Sequence, residues 1–548
     1  MKTNFLQRTF LKGILPLCFL FLSANAFAYD KFAGQTTPGD YEISDATSLQ
    51  AIAPLVNAGT TTFSGFTFHQ TADIDMTGLE WTPIGLDNTI FFSGAFDGGG
   101  YKISNLTFTY AKGFAGLFGS VVQGALLKNI TLENVNITST IGGGGNTSNA
   151  GALAGYVGYD CTIDNCNSSG TLTANETSGT HVGGLIGYLK VNPPSTGTTT
   201  ITKCHSSVNV SSFQILGGLI GYFGYSNAGA TVLIEDCYAT GNMICPTSYA
   251  GGGYPGYAGG FIGSIDNDGS NITIQKCYST GSVSVADGVT GTYNLGGFVG
   301  RTNGPATQVI KNCYTTGAVN CPGGAYVGGF AGQLASAAVI QNCYTTSTVI
   351  GGRSVGGLLG SIGTDATGNI TNSVTLTPSI SCDDLTFGMV VGKNNSVTSV
   401  PSCYALNSMT LPTGTPTGVA GELVSTADIY TASNWWDGDS GSGYFANTGV
   451  VPSDVWVFEN NKLPVFKNPI SAVKTTDTNS NFKLSIAGNS LQILSEGVSS
   501  VQIFNAAGKL VLQGAVYANR FDVASLASGV YVVKANTTAG TKMAKIVK

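Results

Sequence analysis

One phrase dominates the chain: a glycine, a small residue, a large apolar residue, any residue and a final glycine, as in GGFIG. Its final glycine falls at Gly119, Gly155, Gly187, Gly221, Gly263, Gly300, Gly332, Gly360 and Gly392, at spacings of 28 to 42 residues. A second phrase answers it in each unit, at Asn165-Cys166, Lys203-Cys204, Asp236-Cys237-Tyr238, Lys276-Cys277-Tyr278, Asn312-Cys313-Tyr314, Asn342-Cys343-Tyr344, Asn372-Ser373 and Ser402-Cys403-Tyr404. A period of this size indicates a solenoid, a propeller or an array, because one such unit cannot bury its own apolar face.

Within a unit the periodicity is that of strands. In NITIQKCYSTGSVSV (residues 271–285), Ile272 and Ile274 share one face, while Cys277, Gly281, Val283 and Val285 share a face of the opposite parity. The slip at Gln275-Lys276 is what a corner or bulge between two strands produces. Unit length varies in stretches such as 192–199 and 244–256, which read as surface loops. A propeller is the rival architecture, but nine units exceed its usual blade count of about four to eight, and each unit is too poor in strands for a blade. The expected fold is all-β, a β-solenoid of about eight or nine glycine-rich coils with two or three short strands each, closed by capping segments.

Composition supports an exported protein. Charged residues make up only 10% of the 548, well below the usual ~25%. Residues 1–28 read as a secretory signal peptide: Lys2, Arg8 and Lys12, then the apolar GILPLCFLFL, then Ala26-Phe27-Ala28. Cys18 is not a lipoprotein cysteine, since Leu17 precedes it where a small residue is needed. Loss of this segment would take the formal charge from −6 to −9. With no Lys/Arg cluster, nucleic acid is not an expected partner, and no stretch is apolar and long enough for a transmembrane segment.

The motifs also carry family resemblances. GGLIGY at 183–188 and 217–222, with [KND]CY[SAT]T and a following TG, resembles the GLUG motif of bacterial surface proteins. The upstream YEISDATSLQAIA, QTADIDMTGLEWTPIG and FSGAFDGGGYKISNLT resemble the segment that leads into such repeats. The resemblance covers about residues 41–404. It implies a β-solenoid of the kind found in adhesin-like proteins and near the amino terminus of some immunoglobulin-A-cleaving metallopeptidases. The last 65 or so residues, with VQIFNAAGKLVLQG, FDVASLASGVYVVKA and KMAKIVK, resemble the type A C-terminal sorting domain of the type IX secretion system of Bacteroidota. That implies a small immunoglobulin-like β-sandwich read by the secretion machinery, followed by release or attachment to surface lipopolysaccharide. The resulting division is a signal peptide at 1–28, a leading and capping segment at 29–113, the repeat solenoid at 114–410, a C-terminal capping segment at 411–468, a linker at 469–480 and the sorting domain at 481–548.

In the leading segment, residues 45–57 (DATSLQAIAPLVN) form the one convincing helix, with Ser44 as the expected cap and Gly59 as the stop. Asp73, Asp75 and Asp97 lie nearby, where carboxylates could serve acid/base chemistry, bind calcium, or cap turns and strand ends. The run Asp437-Gly438-Asp439-Ser440-Gly441 is a weak calcium-loop match, lacking glycine at the sixth position and glutamate at the twelfth, and reads as a turn.

Catalytic motifs are few. His69, His181 and His205 belong to no H-E-x-x-H, and there is no G-x-S-x-G, phosphate loop or C-x-x-C pair. No cofactor and no metal site are expected. Cys166, Cys204, Cys237, Cys277, Cys313, Cys343 and Cys403 occupy one repeat column. Stacked coils lie about 4.8 Å apart with side chains parallel, a poor approach for the roughly 90° disulfide dihedral. With Ser373 in the same column, these read as a structural ladder of small buried residues. Cys245, Cys321 and Cys382 are left for one or two loop disulfides, and Cys161 has no assigned partner.

If each column cysteine faces inward, the next residue faces outward. Tyr238, Tyr278, Tyr314, Tyr344 and Tyr404 would then form a stripe able to stack on sugar rings, or on one another. Tyr188 and Tyr222 form a shorter second column with the same two readings. The expected function is a non-enzymatic, adhesin-like binding protein for glycans, matrix or other cells. The alternatives are a β-helix polysaccharide lyase or glycoside hydrolase, which would need clustered carboxylates, basic residues or calcium, and a passive spacer.

Overall fold

A computed structural model describes residues 29–467 except 141–147, 175–179, 192–196, 225–228, 247–255, 287–292, 365, 397–399 and 439–442, together with the strands within 484–547 named below. The expected signal peptide, the linker and part of the 437–441 turn lie outside the described residues.

The repeats wind into a parallel β-solenoid held in register coil on coil. One inward column shows how strict the register is. Phe68, Phe96, Leu127, Ile163, Ile201, Ile234, Ile274, Ile310, Ile340 and Ile370 each pair with the next through parallel strands. All ten are buried. β-branched and aromatic residues suit this column because a pleated, two-sided core restricts their side chains little further. A separate ladder of nine short strands, from Phe114–Ala115 to Phe387–Gly388, counts the glycine-phrase coils at nine.

The change of parity inside each unit has a backbone cause. The residue before the column cysteine is left-handed in every coil: Asn165, Lys203, Asp236, Lys276, Asn312, Asn342, Asn372 and Ser402 all have φ between 49° and 54°. One such residue turns the chain through a corner and shifts the inward parity by one. Asn and Asp tolerate this conformation better than other non-glycine residues, which accounts for their frequency before the cysteine. The glycine phrase solves a different problem. A Cβ on Gly259 would lie 1.9 Å from the Ile262 carbonyl oxygen, and one on Gly260 would lie 2.1 Å from the carbonyl oxygen of Gly297 in the next coil. Close approach of backbone to backbone, and not an unusual φ, requires glycine here. The bend drives the following aromatic inward, so that Phe261, Phe298 and Phe330 stack with centroids 4.7 and 4.9 Å apart.

The parallel ladder starts upstream of the glycine phrases. Asp40–Ile43, Thr67–Gln70 and Ala95–Asp97 pair in turn and join Leu126–Lys128. Residues 29–113 thus build coils as well as covering an end. The expected helix forms as two pieces, Ala46–Gln50 and Ile52–Asn57. Pro54 cannot donate to Gln50, so the hydrogen-bond ladder breaks there. The cap is Asp45 and not Ser44: its carboxylate accepts from the Ser48 amide at 2.9 Å in a reciprocal capping box. Leu49, Ile52, Ala53 and Val56 are buried and join the solenoid core.

At the other end, Glu422–Val424 adds a strand to Cys403–Leu406, and Val419 bridges Val391. Residues 425–438 and 443–467 then fold back along the side of the solenoid. In the C-terminal part, Leu484–Ala487, Ser490–Ile493 and Arg520–Asp522 form one antiparallel sheet. Leu510–Ala515, Val498–Asn505, Val530–Thr537 and Gly540–Val547 form a second. Leu491, Val501, Ile503, Val523 and Val533 make their common core, a small β-sandwich.

All eleven described cysteines are free and buried. The thiols of the main column donate to the coil before, as Cys166 does to the Leu127 carbonyl at 3.5 Å. Ser373 reproduces the acceptor side of this arrangement, taking the Cys343 amide at 3.3 Å. The loop disulfides expected of Cys245, Cys321 and Cys382 do not form, because these residues are not in loops. They end the strands Met243–Cys245, Val319–Cys321 and Ile380–Cys382 and point inward in a second column, with Val285 and Gly351 at the intervening steps. Two coil steps, roughly 9–10 Å, exceed disulfide reach. Burial pushes the Cys161 and Cys245 thiols up to about 12, which removes the reactive thiolate. Thiol titration should therefore find all eleven blocked in the native protein and reactive after denaturation. Gly260→Ala should lower stability by about 1–3 kcal/mol in thermal unfolding, since only a backbone shift can relieve the overlap.

Candidate functional site

The tyrosines after the column cysteines do leave the core, and they form a ladder. His205 extends it: ring centroids run His205–Tyr238 4.7 Å, Tyr238–Tyr278 4.8 Å, Tyr278–Tyr314 4.9 Å and Tyr314–Tyr344 5.1 Å, with rings within 5° of parallel. Val374 takes the next step and Tyr404 the one after.

This stripe does not face solvent as expected for a sugar platform. The returning segment lies on it as a strap. Tyr444 packs on Tyr404, Trp435 on Tyr344, Trp456 on Tyr344 and Tyr314, and Phe466 on Tyr314 and Tyr278. The strap also hydrogen-bonds the left-handed corners. Asn342 exchanges two bonds with the Ala446 backbone at 2.8 and 3.0 Å, and Trp456 Nε1 donates to Asn312 Oδ1 at 3.2 Å. Tyr344 Oη donates to the Pro464 carbonyl at 2.9 Å. Tyr238 and Tyr344 are each only 3% exposed, and Tyr278, Tyr314 and Tyr404 are half-buried against the strap cluster. Tyr278, Tyr314, Tyr344 and Tyr404 thus pack against the strap, and Tyr238 is buried between His205 and Tyr278. The sequence separation of the hydrogen-bonded partners, 104 to 144 residues, hides this from any local pattern.

The second aromatic column lies beside the glycine phrase and has a different character. Its register runs Ser120, Tyr156, Tyr188, Tyr222, Ser264, Arg301, Gln333, Ser361 and Lys393. A facing column, from the strand before the glycines, runs Phe114, Asn149, His181, Ile215, Tyr257, Asn294 and Tyr326. The two columns lace diagonally at four positions, where a residue of the second meets the first one coil on. Phe114 stacks on Tyr156 at 5.3 Å and His181 on Tyr222 at 4.4 Å. Arg301 Nη1 donates to Tyr257 Oη at 2.8 Å with its guanidinium carbon 5.1 Å from that ring, and Asn294 Nδ2 donates to Gln333 Oε1 at 2.9 Å. Tyr222 Oη donates to Asp266 Oδ2 at 2.7 Å.

Several buried polar atoms on this face meet no partner: Ser120 Oγ, Asn149 Nδ2, Ser264 Oγ, Asp266 Oδ1, Asn294 Oδ1 and Arg301 Nε. Such atoms are not confined to this face, since His205 Nδ1 and Tyr238 Oη on the tyrosine ladder also lack a partner within the chain. Tyr257, Asp266 and Arg301 escape sequence reading because the repeat varies most at these positions. Their signal is only that outward positions flanking invariant glycines alternate between aromatic and polar.

The remaining candidates are structural. Asp73 Oδ1 accepts from the Lys102 amide, Asp75 Oδ1 from Thr77 and Asn105, and Asp97 Oδ1 from Gly99 and Asn129, so each ties a turn or a corner. Among the described residues no group of three His, Cys, Asp or Glu is placed to hold a metal. His181, between Tyr188 and Tyr222, is pushed down to about 3 by burial, and His205 to about 4. Both are neutral near pH 7.

Two consequences are measurable. Trp456→Ala should cost about 3–5 kcal/mol in unfolding of the strap and the coils beneath it, read by tryptophan fluorescence. The unfolded chain binds more protons than the native one below about pH 6.5, so stability should fall as pH drops from there towards 4 and then 3. The loss should reach at most about 2 kcal/mol per histidine by pH 5, and His205→Phe, which keeps the stack, should flatten its share in melting experiments across pH.

Residues 478–548 match the family described as the secretion system C-terminal sorting domain. Residues 146–173 match the GLUG motif. This second match spans one glycine bend and one left-handed corner, from Ser148–Gly151 past Asn165. The chain is 32% identical over 193 residues to halomucin of Haloquadratum walsbyi, an alignment covering 33% of this chain and 2% of halomucin. It thus spans a very small part of that relative. A crystal structure described as a candidate immunoglobulin A1 protease from Bacteroides ovatus overlays 80% of this chain and 95% of its own at 18% identity and a TM-score of 0.32, too low to equate the folds. The chain therefore carries GLUG repeats and a type IX sorting domain, which addresses it to the cell surface or the extracellular space. Neither matching family is a catalytic one.

Proposed function

We propose that this protein is an exported, non-enzymatic binding protein that recognises glycans, matrix or other cells through the laced face beside its glycine phrases. The carrying observation is the pairing of GLUG repeats with a secretion-system sorting domain, and on that face Tyr188 is a ring the fold leaves partly exposed. Rings offer apolar area to the C–H faces of a sugar, and fixed polar groups between them set its orientation. The strap makes the opposite, cysteine-tyrosine side a stability element in this reading. Residues 481–548 serve as the address read by the secretion machinery, and residues 29–467 carry the binding.

Immobilised glycans and matrix proteins presented to the full chain test this. Retained ligands should bind the unmodified protein and should lose at least tenfold in affinity to the double variant Tyr188→Ala, Tyr222→Ala. Variants of the strap that keep the fold, such as Phe466→Leu, should bind as the unmodified protein does. Turnover of a polysaccharide would overturn the non-enzymatic reading, and unchanged binding by the double variant would overturn the choice of face.

A further inference from the structure

A third outward surface follows the tyrosine ladder in each coil. Nine short strands build it, from Thr107–Tyr110 to Ile380–Cys382, each paired in parallel with the next. Two ranks of side chains stand on it. One opens with Thr107, Asn136, Thr171 and Asn209 and continues through Asn242 and Ser282. The other lies two residues further along every strand, from Thr109, Thr138 and Thr173 to Asn320, Ile350 and Ser381. All of these side chains are exposed or half-buried, while the residues between them point into the core. Going beyond the function proposed above, we infer that this surface binds ice, its two ranks lying along rows of lattice oxygens.

The backbone sets the spacing of the ranks, at about 4.8 Å from coil to coil and about 6.6 Å between alternate residues along a strand. Oxygen rows on the prism faces of hexagonal ice repeat at closely similar distances in two perpendicular directions. The match persists over many coils because the register of the second rank does not drift from Thr109 to Ser381. The side chains are also held in place. Thr171 Oγ1 donates to Asn136 Oδ1 at 3.1 Å, the Asn242 amide to Asn209 Oδ1 at 2.9 Å, and Ser282 Oγ to Asn242 Oδ1 at 2.8 Å, each across one coil step. Threonine adds a branched Cβ with few rotamers. An occupant therefore meets groups that are already ordered.

A second, separate pointer is the pair Ile244 and Ile350, which stand in the second rank 41% and 40% exposed. Large apolar side chains left in water between hydroxyls and amides fit an occupant that rests on methyl groups as readily as on polar ones. Ordered water does both: it cages methyls, and it donates to and accepts from hydroxyl and amide groups.

The other occupants fit less well. Neither rank holds a charged side chain, whereas the rank before the left-handed corner holds Asp97, Lys128, Asp164, Glu235 and Lys311. An ionic partner would find nothing to pair with. Neither rank has an aromatic ring, so the stacking that holds sugars is missing. The ranks cover about 40 Å by 13 Å, roughly 500 Å², which falls short of the ~800 Å² per partner that a second copy would need. The sorting domain addresses the chain to the cell surface or the extracellular space, where the ranks meet external ice directly.

The test grows an ice hemisphere slowly in a solution of the full chain and measures how much protein the ice takes up, with an unrelated acidic protein as the blank. The unmodified chain should be enriched in the ice at least tenfold over the blank, and should facet crystals held just below the melting point. The double variant Thr138→Lys, Ser284→Lys sets long charged groups four coil steps apart in one rank. Its uptake should fall to that of the blank while its melting temperature stays within a few degrees. Thr138→Val, which keeps the outline and the methyls, should retain most of the enrichment. Tyr188→Ala, Tyr222→Ala, on the laced face, should leave uptake unchanged, so this inference and the glycan reading fail separately. No enrichment of the unmodified chain, or equal enrichment of the lysine variant, overturns the assignment. Retention on crystalline cellulose or chitin that the lysine variant loses, without uptake into ice, overturns ice as the occupant.

Discussion

Everything in this molecule depends on one constraint: each coil must present the same backbone to the coil above and below it. Parallel pairing supplies the hydrogen bonds, but it tolerates no drift, because a one-residue slip would turn an inward column outward. The left-handed residue before each column cysteine is what keeps the coils superimposable. Asn165 and Asn342 lie five units apart and differ by 1° in φ. Every stacked column, of isoleucines, thiols, phenylalanines or tyrosines, is a consequence of that repeated corner and of the glycine bend opposite.

Much of this is legible in the sequence, because identical geometry repeated nine times leaves identical residues behind. The parity slip at Gln275-Lys276 locates the corner, and the glycine phrase locates the bend, before any coordinates are known. Ser373 in the cysteine column argues for packing over redox chemistry, and the hydrogen bond it accepts from Cys343 gives the physical reason. Cys245, Cys321 and Cys382 were harder to place. They stand at strand ends that the repeat does not mark, so position in the sequence suggested loops while the register places them in the core.

The candidate site was legible only in part. An alternating strand reveals that Tyr278 points away from Cys277, but not what lies on the other side. The strap reaches that side from more than a hundred residues away, and its tryptophans carry no periodic signal. The same limit applies to the laced face in reverse. Tyr188 and Tyr222 repeat and can be seen, whereas Tyr257, Asp266 and Arg301 each occur once and become a group only when two adjacent coils are stacked. Repetition encodes the scaffold, and departures from repetition encode what the scaffold presents.

The two sides of the solenoid therefore differ: the strap covers the tyrosine ladder, and the laced face packs its own two columns together. Hydrogen–deuterium exchange of the full chain tests that division most directly. Peptides from the strap, residues 443–467, should exchange as slowly as those covering Cys277–Tyr278 and Cys343–Tyr344, since they bury one another. Exchange of the strap within seconds, while the coils stay protected, would show the tyrosine ladder open to solvent and would contradict the account.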